Sequence, residues 1–347
     1  MTSNALHAAK ACHKLIHDFL KSSSEDPLHS LSLNTTSDNI QDSTILNSHI
    51  SLNLPTLYPP SFNSILHKES QQQVLQSYTD FLKILNHWNL NQLSISYNGG
   101  KDCLVQLIIY LAAIYQHIIE NNFNKEISSI HVKAVYVHTE NEFDEQIKFL
   151  EKSVLQYGLD FTAVYTKISS ECNSSQILKE NVISLDNTIN NNNNNSIGRI
   201  KCLFSTSPTL QCGFSTYLES DPSVKAIIVG IRRTDPYGST LNLEQRTDTH
   251  RGWPDFMRIN PILEWHTSEI WYFIKWLERD SSNTNFNIDY CSLYNDGYTS
   301  LGGCDNTVRN PQLRRKDNFN GNIHYWPAWW ILDDDIERLS RVQKGKV

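Results

Sequence analysis

Several familiar signatures are missing from this chain, and each absence removes a class of function. No run approaches the roughly twenty consecutive apolar residues of a membrane-crossing helix, so no membrane-spanning role is expected. Basic residues do not prevail: 30 Lys and Arg stand against 37 Asp and Glu, a formal charge of -7. Dedicated binders of nucleic acid or anionic membrane need a basic surface, so neither partner is expected. The cysteines at 12, 103, 172, 202, 212, 291 and 304 include no Cys-x-x-Cys pair. That argues against a structural zinc or dithiol redox motif and favours reduced thiols in a cytoplasmic compartment. The first twenty residues alternate polar and apolar at helical spacing and lack the continuous core of a signal peptide, which agrees with a cytoplasmic location. A monomer is the expectation.

What remains is an ordinary soluble composition, 39% hydrophobic and 19% charged over 347 residues, enough for one large core or two small ones. Residues 1–22 read as one amphipathic helix, and 23–57, rich in Ser, Asn and Asp, as a loop or linker. Within 68–88, Val74, Leu75, Tyr78, Phe81, Leu82 and Leu85 form a helical stripe. From residue 93 the texture changes. "LSISY", "VKAVYVHT", "DFTAVYT" and "KAIIVGI" read as strands, and 101–120, 142–157 and 266–279 as helices.

Short apolar strands alternating with helices predict an α/β fold: a doubly wound, mainly parallel sheet with helices on both faces. Ligands in such sheets bind beyond the carboxyl ends of the strands, at the switch point. The loops after Tyr97, His138, Thr166 and Ile231 would then surround one crevice. The expected organisation is an N-terminal helix and linker (1–60), a nucleotide-binding catalytic unit (61–290) and an irregular C-terminal segment completing the site (291–347). The asparagine tract at 185–199 reads as an insertion in a surface loop.

Chemistry concentrates in two places. In "SISYNGGKDC" a strand runs through Asn98-Gly99-Gly100-Lys101-Asp102 into a helix. Backbone N–H groups at a helix start bind phosphate without any side chain, and glycine allows the close approach. Lys101 is placed to neutralise charge there, and Asp102 to orient the loop or hold Mg²⁺. The Walker pattern and G-x-G-x-x-G are both absent. The second place is "VGIRRTDPYG…QRTD…WPDFMR", where Gly230-Ile231 ends a strand, Asp235 follows on the loop, and Trp253, Asp255, Phe256 and Arg258 offer an aromatic wall with polar groups. Taken alone, the glycine loop is also compatible with a plain Gly-Gly turn before a helix, the Asp235 loop with a solvated turn, and the stretch at 253–258 with core plus a surface ion pair.

"SYNGGKDC", "GIRRTDPYG", "QRTD…WPDFMR", "PILEWHTSEIW", "YTSLGG…NP" and "WILDDDIERLSR" occur in this order, and together they resemble the fungal FAD synthases. These are FMN adenylyltransferases of the phosphoadenylyl-sulfate-reductase-like superfamily, with an adenine-nucleotide α-hydrolase-like fold. The resemblance runs from about residue 70 onward, and more weakly includes the first helix. Departures fall between Asp248 and Trp253, in the linker and in the asparagine tract. It implies an enzyme that joins ATP and FMN into FAD and pyrophosphate with Mg²⁺. The FMN phosphate attacks the α-phosphorus in line, with no covalent intermediate; the absence of a convincing Ser–His–Asp or Cys–His set agrees with this.

The resemblance also implies roles. Asn98, Gly99, Gly100, Lys101 and Asp102 form the phosphate loop, with Ser96 and Tyr97 lining its approach. Val137 and Gly230-Ile231 form the adenosine side. Asp235 is the first choice for an essential carboxylate, while Asp248, Trp253, Asp255 and Arg258 belong to the flavin-binding segment. Arg338 and Arg341, three apart and so on one helix face, clamp phosphate; read alone, they merely counter the acidic run at 333–335. His138, Glu140 and Glu142 offer Mg²⁺-ligand types, but acids at a helix start are more often dipole partners in its first turn, and they are not assigned to the metal. Cys103, at a helix start, is expected to have a lowered thiol pKa, although no step needs a nucleophile.

Two rivals remain. A sulfonucleotide reductase on the same fold needs an attacking cysteine in its tail, and none follows Cys304. A non-catalytic flavin or nucleotide sensor would have no need of the intact Gly-Gly-Lys-Asp loop and Asp235.

Overall fold

Side-chain alternation along the strands sorts the core into two layers. The computed structural model describes residues 4–23, 63–121, 130–138, 141–166, 199–281, 286–316 and 322–342. β1 (Leu93–Ser96), β2 (Val132–His138), β3 (Leu159–Tyr165), β4 (Arg199–Phe204), β5 (Ala226–Ile228), β6 (Glu244–Arg246) and β7 (Met257–Ile259) form one sheet, ordered β4-β3-β2-β1-β5-β7-β6. All pairs are parallel except β6 with β7. Leu93, Ile95, Ala134, Phe161, Ala163 and Ile228 belong to one core layer. The intervening Val135, Val137, Val164 and Ile227 belong to the other.

The first layer is the larger. It is built with α1 (Asn4–Lys21), α2 (Ser64–His87), α3 (Lys101–Glu120), α4 (Asp144–Tyr157) and, after α5 in the chain, α6 (Thr267–Ser281). Among the described residues α5 (Leu210–Ser220) alone covers the second layer, with Phe214 and Tyr217. Tyr217 also donates to Ser94 Oγ at 2.8 Å, which satisfies a buried hydroxyl of β1 on that face. α3 is long and apolar enough by length and composition to cross a membrane, contrary to the reading of the sequence. Its apolarity has a different cause: from Cys103 to Ile114 every side chain is buried, so no polar face is needed.

The strands and helices expected from the sequence are present, with β2, for example, at Val132–His138 and α3 at Lys101–Glu120. β4, β6 and β7 were not foreseen. Of the linker read at 23–57 and the asparagine tract read at 185–199, all but residues 23 and 199 lie outside the described residues.

From β1 the chain builds outward through β2, β3 and β4, then returns to β5 on the other side of β1. Strand order therefore reverses between β1 and β5, and a crevice opens beyond their carboxyl ends. β2 continues to His138, past its last pairing with β1 at Ser96↔Val135, and so walls the crevice on that side.

The C-terminal segment adds a hairpin, β8 (Arg314–Lys316) with β9 (Ile323–Tyr325), then a short helix, α7 (Asp334–Glu337). Asp333 caps α7 by accepting from the amides of Asp335 and Ile336 at 2.9 and 3.1 Å. Thr299 Oγ1 donates to the Glu337 carbonyl at 2.5 Å, and Asn310 Nδ2 to that of Ile336 at 2.8 Å. These buried bonds fix α7 where its acids reach the crevice.

α4 ends at Gly158, whose φ of 64° is left-handed. A Cβ there would lie 2.4 Å from the Ala5 amide of α1. Gly158→Ala should lose about 1–2 kcal/mol from backbone conformation alone, and more from pushing α1 away. A lower urea midpoint at unchanged slope checks this.

Candidate active site

The loop after β1 is held from within. Asn98 Oδ1 accepts from the Gly100 amide at 2.9 Å and from Cys103 Sγ at 2.9 Å. Gln146 of α4 donates to the Asn98 carbonyl at 3.1 Å. Gly99 has a left-handed φ of 76°, where a Cβ would also crowd Phe149 at 3.2 Å. The turn therefore needs glycine on two counts. At the start of α3 the Lys101 amide donates to the buried Tyr294 hydroxyl at 3.0 Å. The loop after β5 lies against this helix start: a Cβ on Gly230 would sit 3.3 Å from the Cys103 amide.

Several expected residues are placed otherwise. Tyr97 does not line the approach; it is fully buried in the main core. Val137 turns its side chain under α5, where a Cβ on Gly213 would meet it at 2.2 Å, so at most its backbone faces a ligand. Lys101, expected to face phosphate, is buried, its Nζ on Asp102 Oδ2 at 2.7 Å and on Glu337 Oε1. The Cys103 thiol is not lowered: burial outweighs the helix start and pushes it up to about 12.

A charged network joins the two loops to α7. Arg232 is buried, with NH2 2.6 Å from Glu337 Oε2 and NH1 2.8 Å from Asp334 Oδ1. Its Nε lies 3.0 Å from Asp102 Oδ1, off the line of a hydrogen bond, so that contact is an ion pair. The Arg232 amide donates to Asp235 Oδ2 at 2.9 Å, and Arg338 NH1 donates to Asp235 Oδ1 at 2.9 Å. Asp102, Asp235 and Arg338, all read from the sequence as site residues, thus meet in one network. Sequence reasoning missed Arg232 as a hub, together with Asp334, Glu337 and Tyr294. The one available signal was the spacing of acids at 334 and 337, which puts both on one helix face.

Arg341 departs from the shared helix face. α7 tightens into a 3-10 turn over Arg338–Ser340, and Arg341 is extended, bridged to Thr307. Its guanidinium lies on Gly302, where a Cβ would come within 1.7 Å of NH1, so a side chain there would displace the flexible end of the arginine.

The expected flavin segment divides. Trp253 packs beside Phe214 with ring centroids 6.2 Å apart, on the face covered by α5. Arg258, register-paired with Ile227, shares that face. Its half-buried guanidinium has no hydrogen bond or ion pair among the described residues, and burial lowers its pKa. Asp248 and Asp255 are exposed instead, Asp248 accepting from the His250 amide at 3.0 Å and Asp255 pairing with Arg246 at 2.6 Å. His138 is buried against Tyr165, its Nδ1 3.1 Å from Glu142 Oε1; Glu140 lies outside the described residues.

A family model described as the phosphoadenosine phosphosulfate reductase domain matches residues 92–309, and the chain belongs to that family. The switch-point crevice, with its glycine loop, is what such a fold would present to a nucleotide. Its relatives narrow the class: with a probable FAD synthase of Schizosaccharomyces pombe it is 32% identical over 250 residues, 72% of this chain and 71% of that one, and it belongs with the FAD synthases. The flavin adenine dinucleotide synthase of Saccharomyces cerevisiae is 25% identical over 339 residues, covering 81% of this chain and 95% of the other. In fold the chain is similar to Candida glabrata FMN adenylyltransferase solved with FAD and inorganic pyrophosphate, with TM-score 0.67, 23% identity and 99% of each chain covered.

Burial, and then repulsion by Asp102, raise the Asp235 carboxyl above its ordinary 3.8. The folded chain then binds this proton more tightly than the unfolded chain, so Asp235's contribution to stability falls as pH rises from 3.8 through the raised value. Asp102 runs oppositely. Burial alone would raise it, but Arg232 and Lys101 outweigh burial and lower it, so its contribution is present above 3.8 and lost on acidification. Asp235→Asn should therefore be at least as stable as wild type at neutral pH, which thermal melting from acid to neutral pH checks. Among the thiols, hydrogen bonds from Thr209 and Ser207 lower that of Cys212. Iodoacetamide at neutral pH should alkylate Cys212 well before Cys103, as peptide mass mapping would show.

Proposed function

We propose that this crevice is the active site of an FMN adenylyltransferase, transferring AMP from ATP to FMN to give FAD and pyrophosphate. The observation that carries the second substrate is Arg258. A half-buried guanidinium with no acid partner, on the face that also holds Trp253, suits a ligand bringing a planar ring and hydrogen-bond acceptors. The glycine loop at the start of α3, with the Gly230 backbone against it, suits the nucleotide.

The chemistry asks little of acid–base groups. The FMN phosphate is ionised at neutral pH and attacks the α-phosphorus directly, while pyrophosphate leaves on the opposite side. What the protein supplies is alignment and charge. Asp235 aims Arg338 by accepting its NH1 at 2.9 Å, and Arg341, whose guanidinium lies on Gly302, is the second cation we assign to phosphate. Each can spread donors over phosphoryl oxygens as charge shifts onto the leaving group.

Mg²⁺ is expected with a triphosphate. Among the described residues no trio of His, Cys, Asp and Glu forms a cage. That fits an ion carried chiefly by phosphate oxygens with one or two carboxylates. Asp235 and Asp102 keep side-chain exposures of 20% and 23%, and the raised Asp235 carboxyl marks an acid pair short of positive charge. These two would meet the ion, which would neutralise phosphate charge. Asp102 is the more committed, to Lys101 and Arg232.

The direct test is incubation with ATP, FMN and Mg²⁺, with FAD and pyrophosphate followed by chromatography; a folded chain that forms no FAD overturns the reading. Asp235→Ala and Arg341→Ala should lose turnover out of proportion to stability. Arg258→Ala should raise the KM for FMN by roughly tenfold to a hundredfold, the scale of a lost charged hydrogen bond, and leave that for ATP nearly unchanged.

A further inference from the structure

We propose that Lys101, although it belongs to the glycine loop, contacts no substrate phosphate and acts with Glu337 as a buried brace that sets the spacing between the glycine loop and the Asp235 loop. The inference rests on the reading of the crevice as an FAD synthase site and assigns Glu337 as a positioning residue there.

Three observations carry it. Lys101 is 1% exposed and Glu337 2% exposed, whereas a phosphate ligand must present its N–H bonds to the crevice. Two of the three ammonium donors are occupied, by Asp102 Oδ2 at 2.7 Å and by Glu337 Oε1. The other Glu337 oxygen holds Arg232 NH2 at 2.6 Å, so one carboxylate grips the first residue of α3 and the base of the Asp235 loop together. By contrast Arg338 keeps 35% of its side chain exposed and, among the described residues, pairs only with Asp235. The cations left for phosphate are arginines, whose forked donors suit it.

A buried pair behaves differently from a ligand when it is cut. Removing one partner strands the other charge, whereas removing both together leaves none uncompensated. The double variant Lys101→Met/Glu337→Gln keeps the net charge of the network and leaves Arg232 with Asp102 and Asp334. Each single variant should lower kcat/KM for ATP by about a hundredfold or more and depress the melting temperature. The double variant should recover both, to within about tenfold of wild type in kcat/KM. A double variant that regains its melting temperature but stays as inactive as Lys101→Met makes Lys101 a substrate ligand and overturns the brace. Recovery of neither property also overturns it, because the two residues then do not act as a unit.

Where a single variant fails to fold, amine acetylation of the wild-type chain decides. Lys101 should be modified at least about tenfold more slowly than exposed lysines such as Lys14, whether ATP is present or not. Ready modification that ATP suppresses overturns the proposal. FAD formation by the wild-type chain tests the underlying reading separately, since the labelling result does not depend on turnover.

Discussion

One buried guanidinium holds the functional part of this molecule together. Arg232 places its three nitrogens on three acids from two stretches of chain: Asp102 at the start of α3, and Asp334 and Glu337 of α7. Its own backbone amide fixes Asp235. A planar fork can address several carboxylates in fixed directions, which a lysine ammonium cannot. Charges removed from water this completely are strongly destabilising when unpaired. The glycine loop, the Asp235 loop and the C-terminal segment are therefore coupled: displacing one leaves ions of the other two without partners.

That coupling explains why a reaction needing little proton transfer is served by a site so rich in ionised groups. Most of the charges do not face a substrate. They hold in place the few groups proposed to meet a substrate, notably Asp235 and Arg338 at the outer edge of the network. The Asp235 carboxyl, raised by burial and by Asp102, is where the network is least satisfied. Local dissatisfaction of this kind marks the position at which incoming charge is most welcome.

The mainly parallel α/β architecture was legible because strand alternation and helix periodicity are short-range signals. "LSISY" and "VKAVYVHT" carry their own pattern, and Asn98-Gly99-Gly100 declares a turn that only glycine can make. β4 was not legible, because in "RIKCLF" every residue is half-buried or exposed and no clean alternation appears. β6 and β7, three residues each, are too short to show a period. In the site, residue types that bind ligands were identified, but their orientation was not. Lys101 and Tyr97 are read from the sequence as facing or lining the phosphate site, yet both are buried, Tyr97 by strand alternation and Lys101 by a partner on α7. The thiol of Cys103 went wrong for the same reason: the helix start was visible, and the burial that overrides it was not.

The brace also has a consequence in time. Lys101 and Glu337 are 236 positions apart, so the glycine loop leaves the ribosome long before the carboxylate that neutralises its lysine exists. Until then, β1 and α3 can pair and pack through local apolar contacts, but Lys101 must stay hydrated or rely on its neighbour Asp102. Long-range contacts of this kind form late, after loop-closure entropy has been overcome. The sheet is thus a scaffold that can precede the active site, and competence arrives with the docking of the last described helix.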